Sequence, residues 1–145
     1  MAIVMIQGPD TAEGRKPVDI VQAGLAERAQ SAGHALLHYR CATEAQLAER
    51  LARIDHGQAD IILLDPGHCA QADGPLHRTL DHLQVPYIEV HDDSFDRLEA
   101  AIPAGVGPRV ALVNGYRAQS YTLAMSMALE RLGCADSEND FNVGT

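Results

Sequence analysis

The chain has 145 residues, a hydrophobic fraction of 46% and a formal net charge of −9, which allows one domain with one sizeable core and argues against non-specific binding to nucleic acid or an anionic membrane surface. Aromatic residues make up 4% and Trp is absent, so the core is aliphatic, and no apolar run approaches the roughly 18–20 residues of a membrane span. The cysteines Cys41, Cys69 and Cys134 are odd in number and widely spaced, which fits neither a disulfide framework nor a CxxC metal site and points to reduced thiols in a cytoplasmic protein.

The first stretch, Ala2-Ile-Val-Met-Ile6, reads as a buried strand that ends at Gln7-Gly8-Pro9-Asp10. It has no basic start and is not read as a signal peptide. After a polar loop through Pro17, Val21, Leu25 and Ala29 recur at helical spacing up to Gly33, a C-terminal stop. His34 to Tyr39 reads as a second strand. Thr43 with Gln46 suggests a capping box, and Leu47, Leu51 and Ile54 mark the inner face of the helix that follows. Asp60-Ile-Ile-Leu-Leu64 is the clearest central strand and runs into Asp65-Pro66-Gly67; Leu76, Leu80 and Leu83 give a third amphipathic helix. Tyr87 to Val90 is a short strand leading to His91, and a short acidic helix is expected near Ser94 to Ala100. Arg109 to Asn114 is the fifth strand. Gln119 to Leu132 is a last helix, apolar on much of its circumference and expected to be buried, partly by another subunit. The domain spans 1–133, and 134–145 form a polar, acidic, flexible tail.

Strands alternating with helices imply an α/β fold with a parallel sheet covered on both faces. The expected architecture is a flavodoxin-like three-layer sandwich with five strands in the order 2-1-3-4-5, its pocket beyond the carboxyl ends of the strands. The loops at those ends are therefore where binding residues belong. Gly105-Val-Gly107-Pro108 precedes a strand and is not a dinucleotide fingerprint; Gly8-Pro9 is too short for a phosphate loop and lacks its Lys. No cofactor and no metal are expected. Cys69 beside His68 is read as a small loop residue, because adjacency in sequence does not aim two side chains at each other. His34, His38, His56, His77 and His82 have no ligand spacing and are read as surface or edge residues.

Those same loops carry a resemblance. Gln7-Gly8-Pro9-Asp10 with Gly14-Arg15-Lys16-Pro17, then Asp65-Pro66-Gly67, then Ile88-Glu89-Val90-His91, then Asn114 to Ala124 with Ser120-Tyr121 stand in order at the strand ends. In these four motifs the chain resembles the type II 3-dehydroquinate dehydratases over nearly its whole length. The resemblance implies anti elimination of water through an enolate: a lid Tyr takes the proton, a lid Arg lowers its pKa, an Asn holds a water at the enolate, and a His protonates the departing hydroxyl. It also implies a small-molecule ligand and a homo-oligomer, trimer or dodecamer.

Carried over by position, His91 matches the general acid, Glu89 its partner, and Arg15 the lid Arg. The enolate-side Asn falls on Asp10 and the carboxylate-binding Asn on Asp65, followed by Gly67 of the same motif. An expected His falls on Gln71, and the Ile-Ser pair after the general acid is Asp92-Asp93. No Tyr occurs before Tyr39, so the lid base has no counterpart. An Asn donates to a bound carboxylate; an ionised Asp cannot. Each close like-charge pair costs roughly 1–4 kcal/mol at effective dielectrics of 80 to 20, and losing the base removes a factor of about 10²–10⁴. Both changes act against dehydroquinate. The leading reading is a diverged member that keeps the acid side and acts by acid–base chemistry on another small polar substrate. The alternatives are a non-catalytic binding or scaffold paralogue, and a weak genuine dehydratase of the shikimate pathway. The aspartates themselves read either as an acidic pocket favouring cations or as solvated loop residues left by drift.

Overall fold

The computed structural model describes residues 2–9, 18–55, 57–70, 74–91, 101–114, 116 and 118–133. In chain order these form β1 (Ala2–Gln7), α1 (Val18–Ser31), β2 (Ala35–Arg40), α2 (Glu44–Ala52), β3 (Ile61–Asp65), a 3-10 turn (Gly67–Cys69), α3 (Pro75–Asp81), β4 (Tyr87–Val90), β5 (Arg109–Val113) and α4 (Ala118–Arg131). All pairings are parallel and the order is β2-β1-β3-β4-β5, as the alternation of apolar runs and helical patterns predicts. The acidic helix expected near Ser94 and the tail from Cys134 lie outside the described residues. The turn at Gly67–Cys69 has no counterpart in the sequence reading, and β1 and β3 each run one residue further, to Gln7 and Asp65.

Side chains alternate across the sheet, so each strand feeds two cores. Ile3, Met5, Ile61, Leu63, Ile88 and Val90 pack against Leu25 and Ala29 of α1 and Tyr121, Met125 and Leu129 of α4. Val4, Ile6, Ile62, Leu64 and Tyr87 pack on the other face against Leu47 and Leu51 of α2 and Leu76 and Leu80 of α3. The central strand β3 is wholly buried, which explains why it reads as an unbroken apolar run and not as an alternation.

The helix ends follow local chemistry. Thr43 Oγ1 accepts the Gln46 N–H at 3.1 Å, and Gln46 Oε1 accepts the Ala42 N–H at 2.8 Å, so the return bond of the box lands one residue early. At the end of α1 the His34 N–H reaches Ala29 O at 2.9 Å and the Gly33 N–H reaches Gln30 O at 3.0 Å, with Gly33 at φ +86°; this is a Schellman stop. α3 starts with Pro75 after Gly74, and its Leu76 N–H is accepted by Glu44 of α2 at 3.2 Å. On α4, Leu123 and Met127 keep 41% and 43% of their surface exposed, so the face away from the sheet stays apolar. Among the described residues no helix is long and apolar enough to cross a membrane.

Candidate functional site

The polar residues at the carboxyl ends of the strands form two networks, one on each face of the sheet. Tyr87 belongs to the α2–α3 core, and alternation along β4 puts Glu89 on the same face. Glu89 and His91 are completely buried. Glu89 Oε2 accepts from His91 Nε2 and from the Ile102 N–H, the latter at 2.8 Å. Its Oε1 accepts from Arg109 Nη1 at 2.8 Å, and that same nitrogen donates to Ile102 O at 2.7 Å. The backbone of His91 is fixed in turn, its N–H reaching Val113 O at 2.9 Å. A buried carboxylate needs donors to offset lost hydration, and three elements supply them here: the residue after β4, the segment before β5, and β5 itself. The result is an imidazole set in one orientation at the end of a central strand.

Tyr87 is the phenol on this face. Its hydroxyl donates to Val106 O at 2.8 Å. Burial, with Glu89 adding and Arg109 opposing, pushes its pKa up to about 12. A phenol held that high is protonated at neutral pH and is poorly suited to act as a general base.

The second network faces α1 and α4, since Ile3 and Met5 precede Gln7 and Ile61 and Leu63 precede Asp65 at alternate positions in that core. Asp65 Oδ1 accepts the Gly67 N–H at 3.0 Å, and Oδ2 accepts the hydroxyl of Tyr121, a fully buried residue of α4. Gln7 Nε2 donates to the same hydroxyl at 3.4 Å, and Gln7 Oε1 accepts from His38 Nε2 at 2.6 Å and from Arg40 Nε at 3.4 Å. A hydroxyl donates once and accepts as well, so Tyr121 joins an acceptor-only carboxylate to an amide donor.

The two glycines of the strand-end motifs let their loops touch. A Cβ on Gly67, at φ +59°, would stand 2.3 Å from Pro9 O; one on Gly8 would stand 2.7 Å from Pro66 O. Backbone therefore packs on backbone where β1 and β3 end, and the Gly8 N–H donates to Asp65 O at 2.7 Å.

Of the residues singled out from sequence, the structure brings Glu89 and His91 together, and separately Asp65 and Gly67. Asp10, Arg15, Gln71, Asp92 and Asp93 lie outside the described residues. Sequence reasoning missed Arg109, Ile102, Gln7 and Tyr121. Strand parity points to Gln7, which follows Ile3 and Met5 at alternate positions and is the first polar residue on that face of β1; nothing in the sequence pairs Arg109 with Glu89. His38 lies on the edge strand as expected, yet it is half-buried and bonded to Gln7. Cys69 and Cys41 are buried, and burial pushes both thiols up from their ordinary value, with Glu44 adding at Cys69 and Arg50 opposing at Cys41.

Comparison with known proteins places these networks in context. Residues 3–129 match the family described as Dehydroquinase class II. The 3-dehydroquinate dehydratase of Stutzerimonas stutzeri (strain A1501) is 31% identical over 117 residues, which cover 79% of this chain and 80% of that protein. The type II dehydroquinase from Butyrivibrio crossotus superposes with a TM-score of 0.72 at 18% identity, over 88% of this chain and 96% of that one. A 3-dehydroquinate dehydratase-like protein from Bifidobacterium longum superposes at 0.67 with 16% identity, over 92% and 98%.

Proposed function

The chain belongs to the class II dehydroquinase family, and from that premise we propose that it is an acid–base protein of dehydratase type that has kept the general acid of the family and lost its base. His91 is the acid. Glu89 orients its imidazole and stabilises the imidazolium, as a carboxylate does for a catalytic His. Arg109 and the Ile102 amide are positioning groups that act through Glu89. The buried Glu89–His91 pair, held by two further donors, is the observation that carries this reading.

The ligand is a small polar molecule, and the residues proposed to bind it are Asp10, Arg15, Gly67, Gln71, Asp92 and Asp93. Asp65 has two donors of its own chain, so the weight of an acidic pocket falls on Asp92 and Asp93, directly after His91. Such a pocket favours an amine or a hard cation over a carboxylate. The protein works in the cytoplasm as a homo-oligomer, trimer or dodecamer.

Titration calorimetry with quinate-like carboxylates, amine-bearing polyols of the same ring size, and Mg²⁺ tests the ligand class. Amine or cation binding is expected, with Asp92→Ile combined with Asp93→Ser shifting the preference toward carboxylates. Tight binding of quinate-like acids by the parent, with no response to cations, would make the aspartates solvated loop residues. A genuine 3-dehydroquinate dehydratase is the second reading, favoured by the relative of that name at 31% identity.

A further inference from the structure

On the edge of the sheet, touching the Gln7 network only through Arg40, the chain gathers positive charge that its net charge of −9 does not foreshadow. A cavity of ≈ 260 Å³ opens between the end of β2 and α2, lined by Tyr39, Arg40, Gln46, Glu49, Arg50 and Arg53, with Cys41 beside them. Among the described residues, three of the chain's 11 basic residues thus line one small cavity, together with one carboxylate, that of Glu49.

The three arginines are not equivalent. Arg53 Nη2 donates to Glu49 Oε1 at 2.7 Å in a pair whose side chains are 64% and 65% exposed, a contact too solvated to neutralise much. Arg40 donates from Nε to Gln7 at 3.4 Å, which ties its guanidinium to the end of β1. Arg50 is half-buried, and its guanidinium carbon stacks 4.1 Å from the centroid of the Tyr39 ring. Stacking occupies the flat face of a guanidinium and leaves its in-plane N–H fork pre-set for a bidentate oxyanion. Gln46 is anchored through its carbonyl to the Ala42 N–H, so its NH₂ end remains as a neutral donor. A stacked Arg, two further guanidiniums and an anchored amide around one cavity make a site for a compact dianion.

We propose that this cavity binds inorganic phosphate or the phosphate group of a small phosphate monoester, with Arg50 as the bidentate anchor. The site uses none of the residues assigned to the acid–base chemistry, so it stands or falls independently of that reading. It offers the protein a second small-molecule input, with β1 and β3 between its strand and the one that leads to His91.

Titration calorimetry at constant ionic strength, with inorganic phosphate and glycerol phosphate as titrants and chloride and malonate as controls, decides it. The parent is expected to bind phosphate saturably with one site per chain. Arg50→Gln should weaken binding at least tenfold, a loss of about 1.4 kcal/mol. Arg50→Lys, which keeps the charge and loses the planar fork, should weaken it as well. Arg131→Gln, on α4, removes the same charge elsewhere and should leave binding unchanged. Circular dichroism checks that each variant is folded. No saturable binding by the parent, an undiminished affinity in Arg50→Gln, an equal loss in Arg131→Gln, or malonate binding as tightly as phosphate would each overturn the proposal.

Discussion

Arg109 and Arg53 each face a carboxylate at nearly the same distance, 2.8 Å to Glu89 and 2.7 Å to Glu49, but in opposite surroundings. Glu89 is fully buried, so removing its cation leaves an uncompensated charge inside the protein. Arg109→Ala is expected to cost about 3–5 kcal/mol, and Arg53→Ala less than about 0.5 kcal/mol, measured as shifts in urea unfolding. Equal small losses would mean that Glu89 is not held as described. Tyr87 gives the residue scale a pH signature. Its pKa rises from an ordinary value near 10 to about 12, so the folded state keeps the proton that the unfolded chain releases first. Its contribution to stability is therefore complete below pH ~10 and is lost as pH climbs through about 12. Alkaline unfolding followed at stepped pH should steepen in that window, and Tyr87→Phe should flatten it; an unchanged profile in Tyr87→Phe would contradict the assignment. Glu89 and His91 are legible in the sequence because Ile88-Glu89-Val90-His91 matches the strand-end motif of the family that the chain resembles, within four consecutive residues. Arg109 and Tyr121 are not, because their partners are 20 and 56 residues away, and only the strand order brings them close.

Among the described glycines, Gly67 at the junction of the β1 and β3 loops leaves the least room for a methyl group. Gly67 combines φ +59° with a Cβ position 2.3 Å from Pro9 O, whereas Gly33, at φ +86°, has nothing within 4 Å. Gly33→Ala should cost about 1 kcal/mol for its left-handed backbone, and Gly67→Ala more than ~2 kcal/mol because a peptide must also move. Thermal unfolding of the two variants side by side reads the difference; equal losses would show that the loops yield freely. The strands and helices themselves are legible because period 2 and period 3.6 separate cleanly in a chain with an aliphatic core. The 3-10 turn at Gly67–Cys69 is not, because its only local signature is Pro-Gly, which also fits an open loop. Asp65 is legible only as the counterpart of a single family position; that match does not foreshadow the hydroxyl from α4 and the Gly67 N–H that the fold gives its carboxylate.

For the whole molecule, the two networks and the exposed apolar face of α4 set the remaining expectations. Leu123 and Met127 stay 41% and 43% exposed on a helix whose opposite side is in the core, and burial between copies is the simplest way to cover them. Light scattering behind a sizing column should give a trimer or a dodecamer, and Leu123→Glu with Met127→Glu should reduce it to smaller species; a monomeric parent at micromolar concentration would contradict the assembly. The central claim is that the acid half of the site persists without the base half. The initial rate at which purified protein converts 3-dehydroquinate to the conjugated enone, followed in the ultraviolet for the parent and His91→Ala together, tests it most directly. The expected result is a parent rate at least ~10²-fold below that of a family member with a lid Tyr; robust parent turnover that His91→Ala abolishes would contradict it.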